Sequence, residues 1–290
     1  MTDRLDLGVE PDHEHFLAWA DAHQRDLPWR RIRDPWPILV SEVMLQQTQV
    51  ARVVPRWHDF LDRWPTPSGL AAVELGELLA WWQGLGYPRR ARNLHDAAVE
   101  ITRRHDGEVP LDLDALLTLP GIGPYTARAV RVFAGELDDG VVDTNVGRLL
   151  ARWGGASLTP KAAQSLADAL VPSGRAWAWN QGLFDLGASR CRPTPDCDGC
   201  PALSWCDWRG DPGRPDPAAA SAGVSRRQGR FAGSDRQVRG FLMRGAGDGL
   251  TLAQLSERHP EVAAGRWSEL LDALTDEGLV TLVGERLQLG

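Results

Sequence analysis

Hydrophobic positions recur at three- and four-residue intervals from residue 11 to 208, and strand-like alternation is scarce there. Helical spacing is present in HEHFLAWADAHQR (13–25), PILVSEVMLQQTQVARVVPRWHDFLDR (37–63, with a break expected at Pro55), LGELLAWWQGLG (75–86), RRARNLHDAAVEITRRH (89–105), LDALLTL (113–119), PYTARAVRVFAG (124–135), TNVGRLLARW (144–153), PKAAQSLADAL (160–170) and AWNQGLFDLGASRC (178–191). Short Pro/Gly turns join these segments, which predicts an all-α architecture. RGDPGRPDPAAASAGVSRRQGR (209–230) has almost nothing to bury and reads as a linker. Beyond it, 231–290 reads as three helices and a short hairpin, the order of a small winged-helix-like α+β domain.

Three places break the simple pattern. SEVMLQQTQV puts a glutamate and three glutamines among apolar residues; on one continuous helix Glu42, Gln46 and Gln49 share a face, while Leu39, Val43, Gln47 and Val50 run down another. LDALLTLPGIGPYTARAVRVFAG reads as helix, hairpin, helix: Gly121 and Gly123 allow a tight turn with positive φ, and Pro124 suits the first position of the next helix. Such a turn exposes backbone N–H groups beside a helix N-terminus, which suits a phosphate without side-chain charge. In VVDTNVGR, Asp143 has the position of a helix N-cap and is also a second carboxylate to set in space beside Glu42.

Composition refines this reading. At 290 residues, 43% hydrophobic and 24% charged, the chain is long enough for two or three cores. The net charge of −7 argues against a polyanionic partner, but arginines gather in RDLPWRRIR (25–33), YPRRARN (87–93), ARAVR (127–131) and SRRQGR (225–230), so local basic patches are expected. Of 32 Lys and Arg residues only Lys161 is a lysine. MTDRLDLGVEPDHEHF lacks the apolar core of a signal peptide, and no stretch has the apolar length of a membrane span, so a cytoplasmic, nucleoid-associated protein without membrane contact is expected. Cys191, Cys197, Cys200 and Cys206 are separated by five, two and five residues, and four clustered thiols suit a tetrahedral zinc or a [4Fe–4S] cluster equally well.

Taken together, LPWR (27–30), SEVMLQQTQV (41–50), GLGYPRRARNLH (84–95), LPGIGPYTA (119–127), VDTNVGR (142–148), FDLGA (184–188) and the four cysteines resemble the MutY-type adenine DNA glycosylases of the helix-hairpin-helix superfamily that includes endonuclease III. The resemblance covers about residues 11–208. It implies a two-lobed helix-hairpin-helix glycosylase over 1–208, with lobe 1 about 31–142, lobe 2 about 11–30 plus 143–190, and a cluster loop at 191–206 holding [4Fe–4S] on the four cysteines. It implies double-stranded DNA containing a mispaired adenine as partner, a monomeric enzyme, and hydrolytic removal of adenine opposite 8-oxoguanine or guanine after base flipping. Glu42 matches the general acid that protonates ring nitrogen 7 of the departing adenine, a role that a carboxyl with apolar neighbours suits. Asp143 matches the carboxylate that stabilises the oxocarbenium-like sugar, assisted by Tyr125 and Asn145. Gln181 matches a position reading the adenine edge, Arg30 a basic residue near the pocket, and Gln46 a polar neighbour of the acid. Gln47 and Tyr87 match residues that enter the base stack, and Gly121 and Gly123 the phosphate-binding hairpin.

Tyr125 stands where lyase-competent relatives carry a Schiff-base lysine, and Lys161 starts a different helix, so base hydrolysis without efficient β-lyase cleavage is expected. The chain departs from the family pattern in the five-residue first cysteine spacing, in Pro88 where a second tyrosine is usual, and in a C-terminal region too short for the Nudix-related domain of larger members. A mismatch thymine or uracil glycosylase of the same superfamily, or a non-enzymatic DNA-binding protein, are the competing readings. Glu42 with Gln46 and Gln47 speaks against the first, because thymine lacks the ring nitrogen a purine offers for protonation.

Overall fold

The computed structural model describes residues 8–221 and 229–290. Helices α1 (His13–Ala22), α2 (Pro35–Leu45), α3 (Val50–Arg63), α4 (Pro67–Ala71), α5 (Leu75–Trp82), α6 (Arg89–Arg104), α7 (Leu113–Thr118), α8 (Pro124–Gly135), α9 (Thr144–Trp153), α10 (Pro160–Leu170) and α11 (Ala176–Ser189) precede the cysteine loop. Helices α12 (Asp235–Gly247), α13 (Leu252–Arg258) and α14 (Ala264–Asp276) and the antiparallel hairpin β1 (Val280–Val283) and β2 (Arg286–Leu289) follow. No helix among the described residues is long and apolar enough to cross a membrane.

The chain divides into two compact units. The first takes the chain up to Ile38, Leu111–Leu113 and the chain from Gly123 to Ser221; the second takes Leu39–Pro110, Asp114–Ile122 and the chain from Gly229. The first unit packs α1, α9, α10 and α11 around Phe16, Leu149, Leu150, Trp153, Trp179 and Leu183, with Phe16 edge-on to Trp179 at 4.8 Å. Close helix approach here needs a missing side chain: a Cβ on Gly182 would lie 2.7 Å from Ala20 and 2.9 Å from the Phe16 ring. The expected lobe boundary near residue 142 moves forward to Gly123, because α8 packs with this unit, Phe133 meeting Phe184 of α11 at 5.7 Å and Arg128 pairing with Asp168 of α10 at 2.8 Å. The second unit surrounds α6 with α4 and α5, burying Leu70, Leu78, Trp82, Leu94 and Ile101.

Two local expectations change. The segment 37–63 does not break at Pro55, which lies inside α3; it breaks at Gln46–Gln49, where Gln47 turns to φ +56°. The shared helical face of Glu42, Gln46 and Gln49 therefore does not exist, since α2 ends at Leu45. Part of the expected linker is also structured: Pro217–Ala220 form a 3-10 turn, Asp216 pairs with Arg152 at 2.6 Å, and the Ser221 hydroxyl accepts a bond from the Leu158 amide. Residues 222–228, with most of the SRRQGR cluster, lie outside the described residues.

Candidate active site

Asp143 and Asn145 are set by the start of α9. Asp143 is its N-cap in extended backbone, its carboxylate accepting from the amides of Asn145 (2.8 Å) and Val146 (2.7 Å), as the pattern VVDTNVGR predicts. The Asn145 side-chain amide donates a third bond at 3.0 Å, so the second carboxylate and its expected assistant are brought together. Burial pushes the Asp143 carboxyl above its usual range, outweighing these bonds and the Arg148 charge, which favour the ionised form. Arg148 in turn donates to the Asn145 side-chain oxygen at 2.8 Å and to the carbonyls of Gly187 and Cys191. Gly187 lets α11 approach: a Cβ there would lie 2.7 Å from the Asn145 Cβ.

Arg30 and Gln181 belong to the same unit. Arg30 closes the 3-10 turn Pro28–Arg30 and makes a two-pronged ion pair with Asp185, at 2.7 and 2.9 Å, both side chains 3% exposed. It is therefore engaged with a carboxylate, and Arg25 joins the same group through Nε at 2.5 Å. Gln181 is buried one turn before Asp185 on α11, and both border a cleft of about 290 Å³ that Leu17, Trp177 and Arg175 also line. Asp185, Arg25 and Arg148 were absent from the sequence-based site. The available signal was spacing: Asp185 follows Gln181 by four residues and Arg148 follows Asn145 by three, each one helical turn.

Tyr125 is the second residue of α8, half-buried, and Gly123 is that helix's N-cap in extended backbone at φ −92°. Only Gly121 of the two hairpin glycines takes positive φ, at +72°, and a Cβ there would lie 2.5 Å from Asn93. Glu42, Gln46, Gln47, Tyr87 and Gly121 belong to the second unit. Glu42 is 5% exposed on α2, whose Leu39, Val40, Val43 and Met44 are also buried. Gln46 is half-buried and Gln47 exposed at the corner between α2 and α3, and Tyr87 is half-buried at φ +50° before α6. Lys161 is exposed at the start of α10.

The four cysteines line one cavity of about 20 Å³ with Arg152, Trp153 and Trp208. The Arg152 guanidinium donates to Cys191 Sγ at 3.3 Å and the Arg209 amide to Cys206 Sγ at 3.4 Å. Burial pushes the Cys200 thiol up to about 11, and its three neighbouring cysteines push the same way. Burial raises the Cys191 and Cys206 thiols as well, and clustered sulfurs with donors aimed at two of them fit a site completed by a positively charged centre. Among the described residues, no group of three or more His, Cys, Asp or Glu side chains is closed into metal-ligand geometry.

Residues 40–173 match the HhH-GPD superfamily of base excision DNA repair proteins. The chain is similar in structure to a thermostable thymine-DNA glycosylase (29% identity, TM-score 0.64, covering 68% of this chain and 94% of that one) and to endonuclease III in a non-covalent DNA complex (26%, TM-score 0.57, covering 67% and 92%). Fold and site thus define a helix-hairpin-helix repair protein of the endonuclease III type. In sequence it is 47% identical to the adenine DNA glycosylase of Mycolicibacterium smegmatis over 91% of each chain, 43% to that of Mycobacterium tuberculosis over 92% of this chain and 89% of the other, and 39% to the human one over 66% and 38%. The chain belongs to the adenine DNA glycosylase family.

Proposed function

We propose that this protein removes adenine mispaired with 8-oxoguanine or guanine from double-stranded DNA, hydrolysing the N-glycosidic bond as a monomer without efficient strand cleavage. The observation that carries this reading is Glu42, a carboxyl side chain 5% exposed on an otherwise apolar helix, in a chain that belongs to the adenine DNA glycosylases. A buried carboxyl is suited to hold the proton that a purine leaving group needs. Glu42 donates that proton to ring nitrogen 7, the bond from sugar to base breaks, and adenine leaves neutral. The ionised Asp143, aimed by two backbone amides and by Asn145, stabilises the cationic sugar until water adds. Tyr125 lies beside the sugar and has no amine, and the exposed Lys161 starts α10, so no Schiff base forms.

Gln181 and Asp185, one turn apart on the cleft wall, face the flipped adenine, and Arg30 acts by fixing Asp185. Gln47 and Tyr87 enter the duplex, while Gly121 and Gly123 meet a phosphate. Cys191, Cys197, Cys200 and Cys206 hold a [4Fe–4S] cluster, which when bound supplies a structural staple for the loop after α11. The order α12, α13, α14, β1, β2, with Thr251 bridged to Arg286, supports a winged-helix reading of the C-terminal region.

The test is single-turnover base release from duplexes with adenine opposite 8-oxoguanine, guanine or cytosine, and from a G·T mismatch, read before and after alkali. Adenine release with strands intact before alkali is expected, and Glu42→Gln and Asp143→Asn should each lower it about 10²- to 10⁴-fold. Thymine release alone, or unchanged rates in both variants, would overturn the reading.

A further inference from the structure

Three non-glycine residues of the second unit hold left-handed backbone, Gln47 at φ +56°, Tyr87 at φ +50° and Asp106 at φ +52°, and the first two stand at the corners that follow α2 and precede α6. Such a conformation is strained for a residue with a side chain and persists only where its surroundings impose it. One side chain meets both corners. Arg90, in the first turn of α6 and 8% exposed, sends Nη1 to the carbonyls of Val43 and Met44, both at 2.8 Å, at the end of α2. Its Nη2 reaches the Thr48 hydroxyl at 3.0 Å and the carbonyls of Leu85 (3.1 Å) and Gly86 (3.0 Å). Met44 and Thr48 bracket the Gln47 corner, and Leu85 and Gly86 lead into Tyr87. The one proton of the Thr48 hydroxyl has two acceptors at 3.4 Å, the Gln46 carbonyl within its own corner and the Leu85 carbonyl of the other.

Among the described residues no carboxylate forms an ion pair with this cation. Burial lowers its pKa to about 10, and its charge is met by backbone carbonyls, two of them at the negative end of α2. The Trp82 and Tyr87 rings lie 5.5 and 5.6 Å from its guanidinium carbon. Both terminal nitrogens of this buried cation go to carbonyls and one hydroxyl of the two corners, while its Nε is buried without a hydrogen-bond partner among the described residues, so the group holds the corners together as a clamp. Its sequence position gives no hint of this, because Val43 lies 47 residues earlier.

We infer that Arg90 is a positioning residue that locks the Gln47 and Tyr87 corners into one rigid two-pronged unit for entry into the base stack. The inference rests on the proposed insertion of those two residues into DNA. Lysine offers three donors to five acceptors and cannot span both corners with one planar group.

Two measurements test it. Hydrogen exchange without DNA reads the clamp itself: in Arg90→Lys, and in Thr48→Val, which keeps the guanidinium but loses the bridging hydroxyl, amides of residues 45–49 and 84–88 should exchange faster while those of α4 and α5 keep their protection. Unchanged exchange at both corners overturns the inference whatever the enzyme's substrate. Single-turnover adenine release is then compared between a closed mismatched duplex and one with the adenine in an open three-nucleotide bubble. Arg90→Met and Arg90→Lys should slow release from the closed duplex on the order of 10- to 100-fold and leave bubble release within about two-fold. Gln47→Ala and Tyr87→Ala should slow release from the closed duplex by a comparable factor; if they do not while the Arg90 variants do, the insertion reading fails and Arg90 is only structural. Equal losses on both substrates in a folded Arg90 variant would also make it only structural.

Discussion

Asp143 carries a conflict within one side chain. The proposed chemistry needs it ionised, three hydrogen bonds favour that form, and burial disfavours it more strongly, so its pKa lies above the usual aspartate range. The folded state therefore holds the Asp143 proton more tightly than the unfolded chain does. Its contribution to stability is fully present below the unfolded pKa, about 3.9, and is lost as pH rises through the higher folded value. At neutral pH the ionised group thus weakens the fold, while asparagine caps a helix about as well as aspartate. Asp143→Asn should melt no lower than the parent at pH 7, with a difference that shrinks toward acid pH, while base release falls by at least about 10². Melting curves from pH 4 to 8 check it; a variant that melts lower at pH 7 than the parent would mean that the hydrogen bonds outweigh burial. The acid limb of the rate should likewise lie above that of an exposed aspartate, as Asp143 takes up its proton.

At the scale of elements, most helices were legible because their apolar residues keep one periodicity, and the N-cap of α9 was legible because Asp, Thr and Asn stand together where it starts. What was missed was decided by distant partners. Pro55 is a strong local signal, yet α3 runs through it, and the chain turns instead at Gln46–Gln49, where Arg90 takes the carbonyls of Val43 and Met44. The 209–221 stretch has a linker's composition, but Arg152, 64 residues earlier, fixes Asp216. The same Arg152 donates to Cys191 Sγ and to the Arg192 and Pro193 carbonyls, so the cysteine loop and the Asp216 turn share one anchor on α9. If the four cysteines hold a cluster, loss of that cluster loosens both together. Protein purified without oxygen should carry iron and acid-labile sulfide at about four each. Chelation or Cys197→Ser should lower the melting temperature and open both stretches to protease. Stoichiometric zinc, or a loop equally protected after metal removal, would count against the cluster.

At the scale of the whole chain, the C-terminal region is not a free appendage behind a linker, since from Gly229 on it shares a compact unit with residues 39–110. Glu277, just past α14, pairs with Arg89 at 3.0 Å and with Arg239 of α12 at 2.5 Å, and its carbonyl accepts from Arg92. Gly76 of α5 comes so close to β2 that a Cβ would lie 3.1 Å from the Leu289 carbonyl. Arg89 and Arg92 flank Arg90 on α6, so the helix that holds the Gln47 and Tyr87 corners is itself held by the C-terminal region. Removing residues 229–290 exposes the face of α5 that β2 now covers and strips Arg89 and Arg92 of α6 of their Glu277 partner, and the apolar packing lost with β2 outweighs any gain in chain entropy. The truncated chain should melt lower, with the corners at 45–49 and 84–88 less protected in hydrogen exchange. Glu277→Gln, which removes the charge and spares the packing, should lower the melting temperature less than the truncation does, with most of the loss from the largely buried Arg239 pair and little from the exposed Arg89. A truncated chain that melts like the parent and keeps its corner protection would make this region a DNA-facing addition and not a support for α6.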